Sequence, residues 1–151
     1  MTLTGFDTNI LAYLSGVANQ PADAAKVTAV QDIVQRMRGN TSFVAPAQAI
    51  GELVIVLRRA GDGYDQVIEI VKGIERGFKV APSNSTTLTT ALSLAARHKL
   101  QFWDSIIMVA AVEAGCSILL SEDMQHGFVW QGMTIINPLA DDIHPRLAAL
   151  L

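Results

Sequence analysis

The stretch Leu3-Thr4-Gly5-Phe6-Asp7-Thr8-Asn9-Ile10-Leu11, near the amino terminus, decides the fold. Residues 3–6 predict a short buried strand, and apolar residues at helical spacing over 9–17 predict a helix directly after it. Asp7 therefore lies at the carboxyl end of the predicted strand. A strand followed at once by a helix is the repeating unit of α/β domains.

The rest of the chain continues this alternation. Helices are predicted over 24–38, 49–59, 64–76, 83–99 and 102–115, and strands over 42–45, 78–81, 117–120 and 133–136. This order predicts an α/β fold with a parallel sheet. No repeat, low-complexity segment or linker interrupts it, so we expect a single domain over residues 1–151.

Composition and charge exclude several classes of protein. Glu52 and Glu113 interrupt the most apolar stretches, so no run reaches the roughly 18 residues of a membrane span. No Lys or Arg precedes Lys26, and Asp7 lies where a signal peptide has its apolar centre, which argues against export. Cys116 is the only cysteine, so no intrachain disulfide forms. We expect a soluble cytoplasmic protein.

Hydrophobic residues make up 50% of this chain of 151 residues. That is more apolar surface than one small core easily hides, so we expect a homodimer or a partner protein. The net charge of -3 argues against a protein that coats nucleic acid. A nuclease that carries its own acidic cluster can still be acidic overall.

Four carboxylates, here called the four acids, are the candidate site: Asp7, Glu52, Asp104 and Asp123. Asp7 and Asp123 each follow a predicted strand, and ligands of open α/β sheets bind beyond the carboxyl ends of the strands. Glu52 and Asp104 lie on helices next to strands and can lean toward the same edge of the sheet.

The four acids predict a metal site with a particular chemistry. Carboxylates brought together repel one another, so such a cluster is stable near neutral pH with bound cations. Oxygen ligands without His or Cys select Mg²⁺ or Mn²⁺. Such ions suit phosphodiester hydrolysis, because a metal lowers the pKa of a water and stabilises the leaving oxygen.

A structural role is the alternative for each acid. Asp7 and Asp104 can cap or complement the start of a helix, and Asp123 can be a turn residue. Glu52 interrupts an apolar helical segment, where an unpaired buried charge is costly. A metal, solvent, or an ion pair with Arg58 or Arg59 has to account for it.

The sequence resembles the PIN-domain ribonucleases, and more closely the VapC-type toxins of bacterial toxin–antitoxin pairs, over almost the whole chain. The matching segments are Phe6-Asp7-Thr8-Asn9-Ile10-Leu11, Gln48 with Glu52, Phe102-Trp103-Asp104-Ser105-Ile106-Ile107 continuing to Glu113-Ala114-Gly115-Cys116, Leu119-Leu120-Ser121-Glu122-Asp123-Met124-Gln125-His126-Gly127, and Asn137-Pro138.

The resemblance implies a three-layer sandwich with a short parallel sheet between helices, and metal-dependent cleavage of RNA. It also implies a homodimer that is inhibited by a small VapB-like antitoxin. The four acids match the family's acidic metal-binding positions, and Asn9 and Ser121 match polar residues that help to orient them.

Two rival functions remain in view. A receiver-like phosphoacceptor keeps adjacent acids after its first strand and a late Lys, whereas Asp7 stands alone here and no Lys follows Lys99. A PIN-like module that binds RNA or protein without cutting is the other rival.

Several other residues can have either a functional or a structural role. His126 can contact phosphate or lie in an exposed turn, and Trp103 can stack on a base or pack in the core or an interface. Basic residues can contact phosphate or complement helix dipoles: Arg36, Arg38, Arg58, Arg59, Arg97 and Lys99.

Overall fold

The computed structural model describes residues 1–151 and contains one sheet of six strands. The strands are β1 (Thr2–Phe6), β2 (Thr41–Pro46), β3 (Lys79–Ala81), β4 (Ile118–Leu120), β5 (Val129–Trp130) and β6 (Met133–Ile136). The helices are α1 (Thr8–Leu14), α2 (Asp23–Met37), α3 (Ala47–Arg59), α4 (Tyr64–Gly77), α5 (Ser85–His98), α6 (Phe102–Glu113) and α7 (Pro145–Ala148). Helices flank a mostly parallel sheet, which confirms the predicted α/β class.

The order of the strands creates a crevice beside β1. The spatial order is β3-β2-β1-β4-β6-β5, and β1 pairs in parallel with both β2 and β4. The strands β1, β2 and β3 therefore follow one another toward one edge of the sheet, and β4 then pairs with the opposite side of β1. Neighbouring connections leave in opposite directions at this switch point, which opens a crevice at the carboxyl ends of β1 and β4.

Helix α6 is the most deeply buried helix, with every residue from Ser105 to Ala111 inaccessible to solvent. It lies close to β1 because Gly5 has no side chain. A Cβ at Gly5 would stand 3.2 Å from a methyl group of Leu119 and 3.4 Å from the Cβ of Ala111. This close packing brings the start of α6, where Asp104 lies, to the crevice.

The structure differs from the predicted elements in three places. Helix α1 ends at Leu14 rather than near residue 17, because Gly16 takes a positive φ of 89° and the Ser15 hydroxyl donates to the Leu11 carbonyl. Strand β5 was not predicted, and it runs antiparallel to β6. The short α7 was also missed. Both missed elements are too short to show a hydrophobic period.

None of the helices combines the length and the apolar character needed to cross a bilayer.

Candidate active site

Asp7 lies at the switch point, immediately after β1, and is 5% exposed. Its carboxylate accepts hydrogen bonds from the Thr8 amide and from the Ser121 hydroxyl, both at 2.7 Å. Ser121 is close because Phe6 and Leu120 are partners in the parallel pair β1–β4. Asp7 is also the N-cap of α1, so the capping role given as its structural alternative is present.

Glu52 lies on α3 and faces the same crevice. It accepts a hydrogen bond of 2.6 Å from the Thr8 hydroxyl and one of 3.3 Å from the Gln48 amide. Neither Arg58 nor Arg59 forms an ion pair with it, which leaves a metal or solvent as the alternatives for its charge. Thr8 therefore links Asp7 and Glu52, two acids that are far apart in sequence.

Asp104 and Asp123 complete the group from the other side of the crevice. Asp104 lies in the first turn of α6 and is half-buried, whereas Asp123 is exposed in the turn after β4. Gln101 is the N-cap of α6, so Asp104 does not cap the helix, but it lies in the first turn, where its charge complements the helix dipole. Together with Glu52 they line a cleft of about 530 Å³, and Asp7 lies behind this surface next to Thr8.

The electrostatics of the site oppose four ionised carboxylates. Burial is the main reason that the pKa of Asp7 is raised from 3.8 to about 6. The charges of Asp104 and Glu52 raise this pKa further, whereas the hydrogen bonds from Ser121 and Thr8 lower it. Burial also raises the pKa of Asp104, with contributions from Glu52 and Asp123. The charges of neighbouring acids therefore act on both Asp7 and Asp104, and none of the four acids is paired with a Lys or Arg.

These residues fit a hard divalent cation by donor type and by charge. Four carboxylates without His or Cys are the ligands that Mg²⁺ and Mn²⁺ prefer, and a cation would offset the burial of the Asp7 charge, which is the main cause of its raised pKa, and the smaller repulsion from Asp104 and Glu52. The side chains do not, however, form a closed shell, since no three of them converge closely enough to hold one ion as they stand. Exposed Asp123 has the most freedom to adjust.

The two supporting residues predicted from the sequence differ in what they contact. The Ser121 hydroxyl donates to Asp7 and accepts from the Met124 amide at 3.1 Å, so it does orient an acid. The side-chain Oδ1 of Asn9 instead accepts a long hydrogen bond of 3.4 Å from the backbone N–H of Glu122. Asn9 lines the cleft but holds the turn that carries Asp123 rather than an acid itself.

Tyr13, Lys26 and Glu122 form a second cluster, which was not predicted from the sequence. The Tyr13 hydroxyl donates to Glu122 at 2.7 Å, and the Lys26 ammonium lies 2.8 Å from the other carboxylate oxygen. Burial and the hydrogen bond to Glu122 raise the pKa of Tyr13 to about 12. The cluster ties the turn before Asp123 to α1 and α2. No sequence signal pairs these residues, because they come from three separate elements.

Tyr13→Phe is expected to loosen this turn. The change removes one hydrogen bond to a charged group and should lower the free energy of unfolding by about 1.5–3 kcal/mol, measured by urea denaturation. Because the turn positions Asp123, the rise in melting temperature with millimolar Mg²⁺ should also shrink. Tyr64→Phe is the matched control, since Tyr64 is 64% exposed and outside the cleft. Equal Mg²⁺ responses in both variants would contradict a positioning role for Tyr13.

The structure shows which of the other candidate residues lie at the cleft and which lie elsewhere. His126 accepts a hydrogen bond of 2.9 Å from the Asn137 amide and lines neither pocket beside the four acids, so its role here is structural. Arg58 lies over the Tyr64 ring at 4.1 Å, and Arg36 is near Asp32. Arg59 and Trp103 line the cleft.

Fold and site together define a class of protein: a parallel α/β domain with clustered carboxylates at its switch point. The PIN domain family matches residues 6–127, so this chain belongs to the PIN domain family. No curated protein matches the sequence significantly.

Solved structures share the fold at low sequence identity. VapC20 of Mycobacterium tuberculosis, described as a sarcin-ricin loop cleaving toxin, has a TM-score of 0.62 at 16% identity, over 77% of this chain and 86% of that one. A toxin–antitoxin complex from Klebsiella pneumoniae gives 0.64 at 16%, over 91% and 98%. VapBC-1 from nontypeable Haemophilus influenzae gives 0.58 at 19%, over 81% and 87%. The fold is therefore that of VapC-type PIN domains.

Proposed function

We propose that this chain is a metal-dependent endoribonuclease that hydrolyses RNA phosphodiester bonds, with the four acids as its metal-binding residues. One observation carries the proposal: four carboxylates, none of them paired with a basic residue, gather at the switch point of a PIN domain, and the charges of neighbouring acids contribute to the raised pKa of Asp7 and of Asp104. Unpaired charges in such a position are costly unless a ligand uses them.

The chain's own residues prepare the site in defined ways. Ser121 and Thr8 hold Asp7 through hydrogen bonds, and the Thr8 hydroxyl also fixes Glu52. Asp104 and Asp123 border the cleft from which a phosphate approaches. A Mg²⁺ or Mn²⁺ ion bound there would supply positive charge for the phosphate and an activated water for hydrolysis.

The second candidate is a PIN-like module that binds RNA or protein without cutting. The observation that favours it is the open arrangement of the acids, no three of which converge on one point. The two candidates differ in one measurable property, which is turnover.

Cleavage of a mixed pool of transfer and ribosomal RNA tests the proposal directly. We expect discrete fragments in the presence of Mg²⁺ or Mn²⁺ and none with EDTA. Sequencing the fragment ends identifies the target. An intact pool with either metal, from protein that binds the same RNA, would support the module without turnover.

We propose further that the enzyme is the toxin of a toxin–antitoxin pair, acting in the cytoplasm. Support comes from the shared fold with a sarcin-ricin loop cleaving toxin and with a toxin–antitoxin complex. Large apolar side chains are exposed and can be covered by a VapB-like antitoxin or a second copy of the chain: Ile55, Ile68, Leu88, Leu92, Val129 and Ile143.

Expression in bacterial cells tests the toxin role. Induction of the wild type should arrest growth, and co-expression of the small protein encoded beside it should restore growth. Normal growth with active enzyme present would contradict the toxin role. Analytical ultracentrifugation tests the homodimer, which has twice the 16.2 kDa mass of the chain.

A further inference from the structure

A second pocket, of about 520 Å³, lies at the edge of the sheet opposite the four acids. It is formed by the amino end of β2, the ends of α2 and α4 and the start of β3, and it is here called the basic pocket after Arg38, Arg76 and Lys79. Strand β2 is six residues long and spans about 16–20 Å. The basic pocket shares no residue with the acidic cleft, so it is a separate site.

Three basic residues reach the basic pocket from three different elements. Arg38 is the C-cap of α2, Arg76 lies in the last turn of α4, and Lys79 begins β3. All three are exposed and none belongs to an ion pair. No Asp or Glu lines the pocket. In a chain of net charge -3, three of the 11 Lys and Arg residues therefore gather where no acid balances them.

The ends of α2 and α4 offer a structural role for part of this charge. The carboxyl end of a helix carries about half a negative charge, which basic residues in the last turn complement. Two such ends amount to about one negative charge, against three positive side chains. Lys79 moreover lies on a strand, and strands have little net dipole. The basic pocket thus keeps a surplus of about two positive charges after the helix ends are satisfied.

The other residues of the basic pocket suit the remaining parts of a phosphorylated ligand. The parallel register of β2 and β3 brings Phe43 and Phe78 side by side, with ring centroids 5.3 Å apart. Both rings line the pocket and are only partly buried. The exposed Ser42 hydroxyl makes its only hydrogen bond to a thioether sulfur, which is a weak acceptor. It can therefore donate to a phosphate oxygen instead.

We propose that the basic pocket binds a small ligand of the nucleoside diphosphate class, with its phosphates on the three basic side chains and its base against the two phenyl rings. Guanidinium groups bind phosphate oxygens in pairs, and a diphosphate carries about three negative charges near neutral pH, which matches the three cations. Flat bases pack on aromatic rings. The volume lies within the roughly 300–1,000 Å³ of small-ligand sites. The inference does not depend on the ribonuclease proposal, because it uses none of the four acids.

Isothermal titration calorimetry tests the class of ligand, with EDTA present so that no metal at the four acids holds a phosphate. We expect ADP to bind more tightly than pyrophosphate, which lacks the base, and adenosine, which lacks phosphate, not to bind. Equal affinities for ADP and pyrophosphate would overturn the nucleotide class. Binding of neither would overturn the site. A single-stranded RNA that binds at the basic pocket when ADP does not would assign the pocket to a polymer and also overturn the proposal.

Substitutions test the position of the ligand. An exposed ion pair changes affinity by up to about fivefold, so Arg38→Gln, Arg76→Gln and Lys79→Gln should each weaken ADP binding severalfold, and the triple variant about a hundredfold. Lys72→Gln is the matched control, because Lys72 is an exposed residue of α4 outside the pocket. Arg59→Gln, at the acidic cleft, should also bind ADP like the wild type. Equal affinities in the triple variant and Lys72→Gln, or a loss in Arg59→Gln, would place ADP elsewhere and overturn the proposal.

Discussion

Asp104→Asn is expected to lower RNA cleavage by at least about a hundredfold, because even residues that only support a metal ligand cost ten- to a hundredfold when removed. Asp104 is half-buried in the first turn of α6, and burial and the neighbouring acids, not hydrogen bonds, account for its raised pKa. Asparagine keeps the size of the side chain and removes the charge. The free energy of unfolding should therefore not fall.

The measurement compares fragment patterns from the RNA pool, with Mg²⁺ present, for wild type and variant proteins purified identically. Asp141→Asn is the control, because Asp141 is exposed and lies outside the cleft. Identical patterns from wild type and Asp104→Asn would mean that a contaminating nuclease cuts the RNA or that the acids only bind. An unfolded Asp104→Asn would instead favour a structural role.

Asp7→Asn is expected to stabilise the metal-free protein at pH 7 while removing its activity. The Asp7 carboxylate is buried with a pKa raised from 3.8 to about 6, so keeping it ionised in the folded state costs on the order of 3 kcal/mol. An asparagine amide carries no charge, can accept from the Thr8 amide and can donate to the Ser121 hydroxyl. The variant should gain about 1–3 kcal/mol in urea denaturation with EDTA.

The pH dependence of the free energy of unfolding follows from the raised pKa of Asp7. Between pH 3.8 and about 6 the folded protein binds the Asp7 proton more tightly than the unfolded chain does. The stability of the metal-free wild type therefore falls as pH rises through this window, and the difference between the wild type and Asp7→Asn should be largest above it and vanish near pH 4. A constant difference across this range would contradict a raised pKa for Asp7.

Without metal, Asp7→Asn is expected to be more stable than the wild type, and metal binding should reverse this order. Millimolar Mg²⁺ is expected to raise the melting temperature of the wild type by mass action and that of Asp7→Asn much less. Asp141→Asn should respond like the wild type. Equal shifts in all three proteins would mean that the ion binds outside the four acids.

The sequence by itself determined the alternation of strands and helices and the place of two acids. Asp7 and Asp123 follow buried strands, and the carboxyl ends of parallel strands lie at one edge of the sheet, so local pattern alone placed both acids at that edge. Ser121 was predicted from the resemblance to the PIN-domain ribonucleases, and the structure gives the physical reason for its contact with Asp7: it directly follows β4, which pairs with β1.

Only the tertiary structure decided which helix faces meet at that edge. It joined Glu52 to Thr8, placed Arg59 rather than Arg58 in the cleft, and brought Tyr13 to Glu122. Hydrophobic periodicity tells which face of a helix is buried, but the partner of that face depends on how separate elements pack. Contacts between residues far apart in sequence arise from that packing, and so no local pattern contains them.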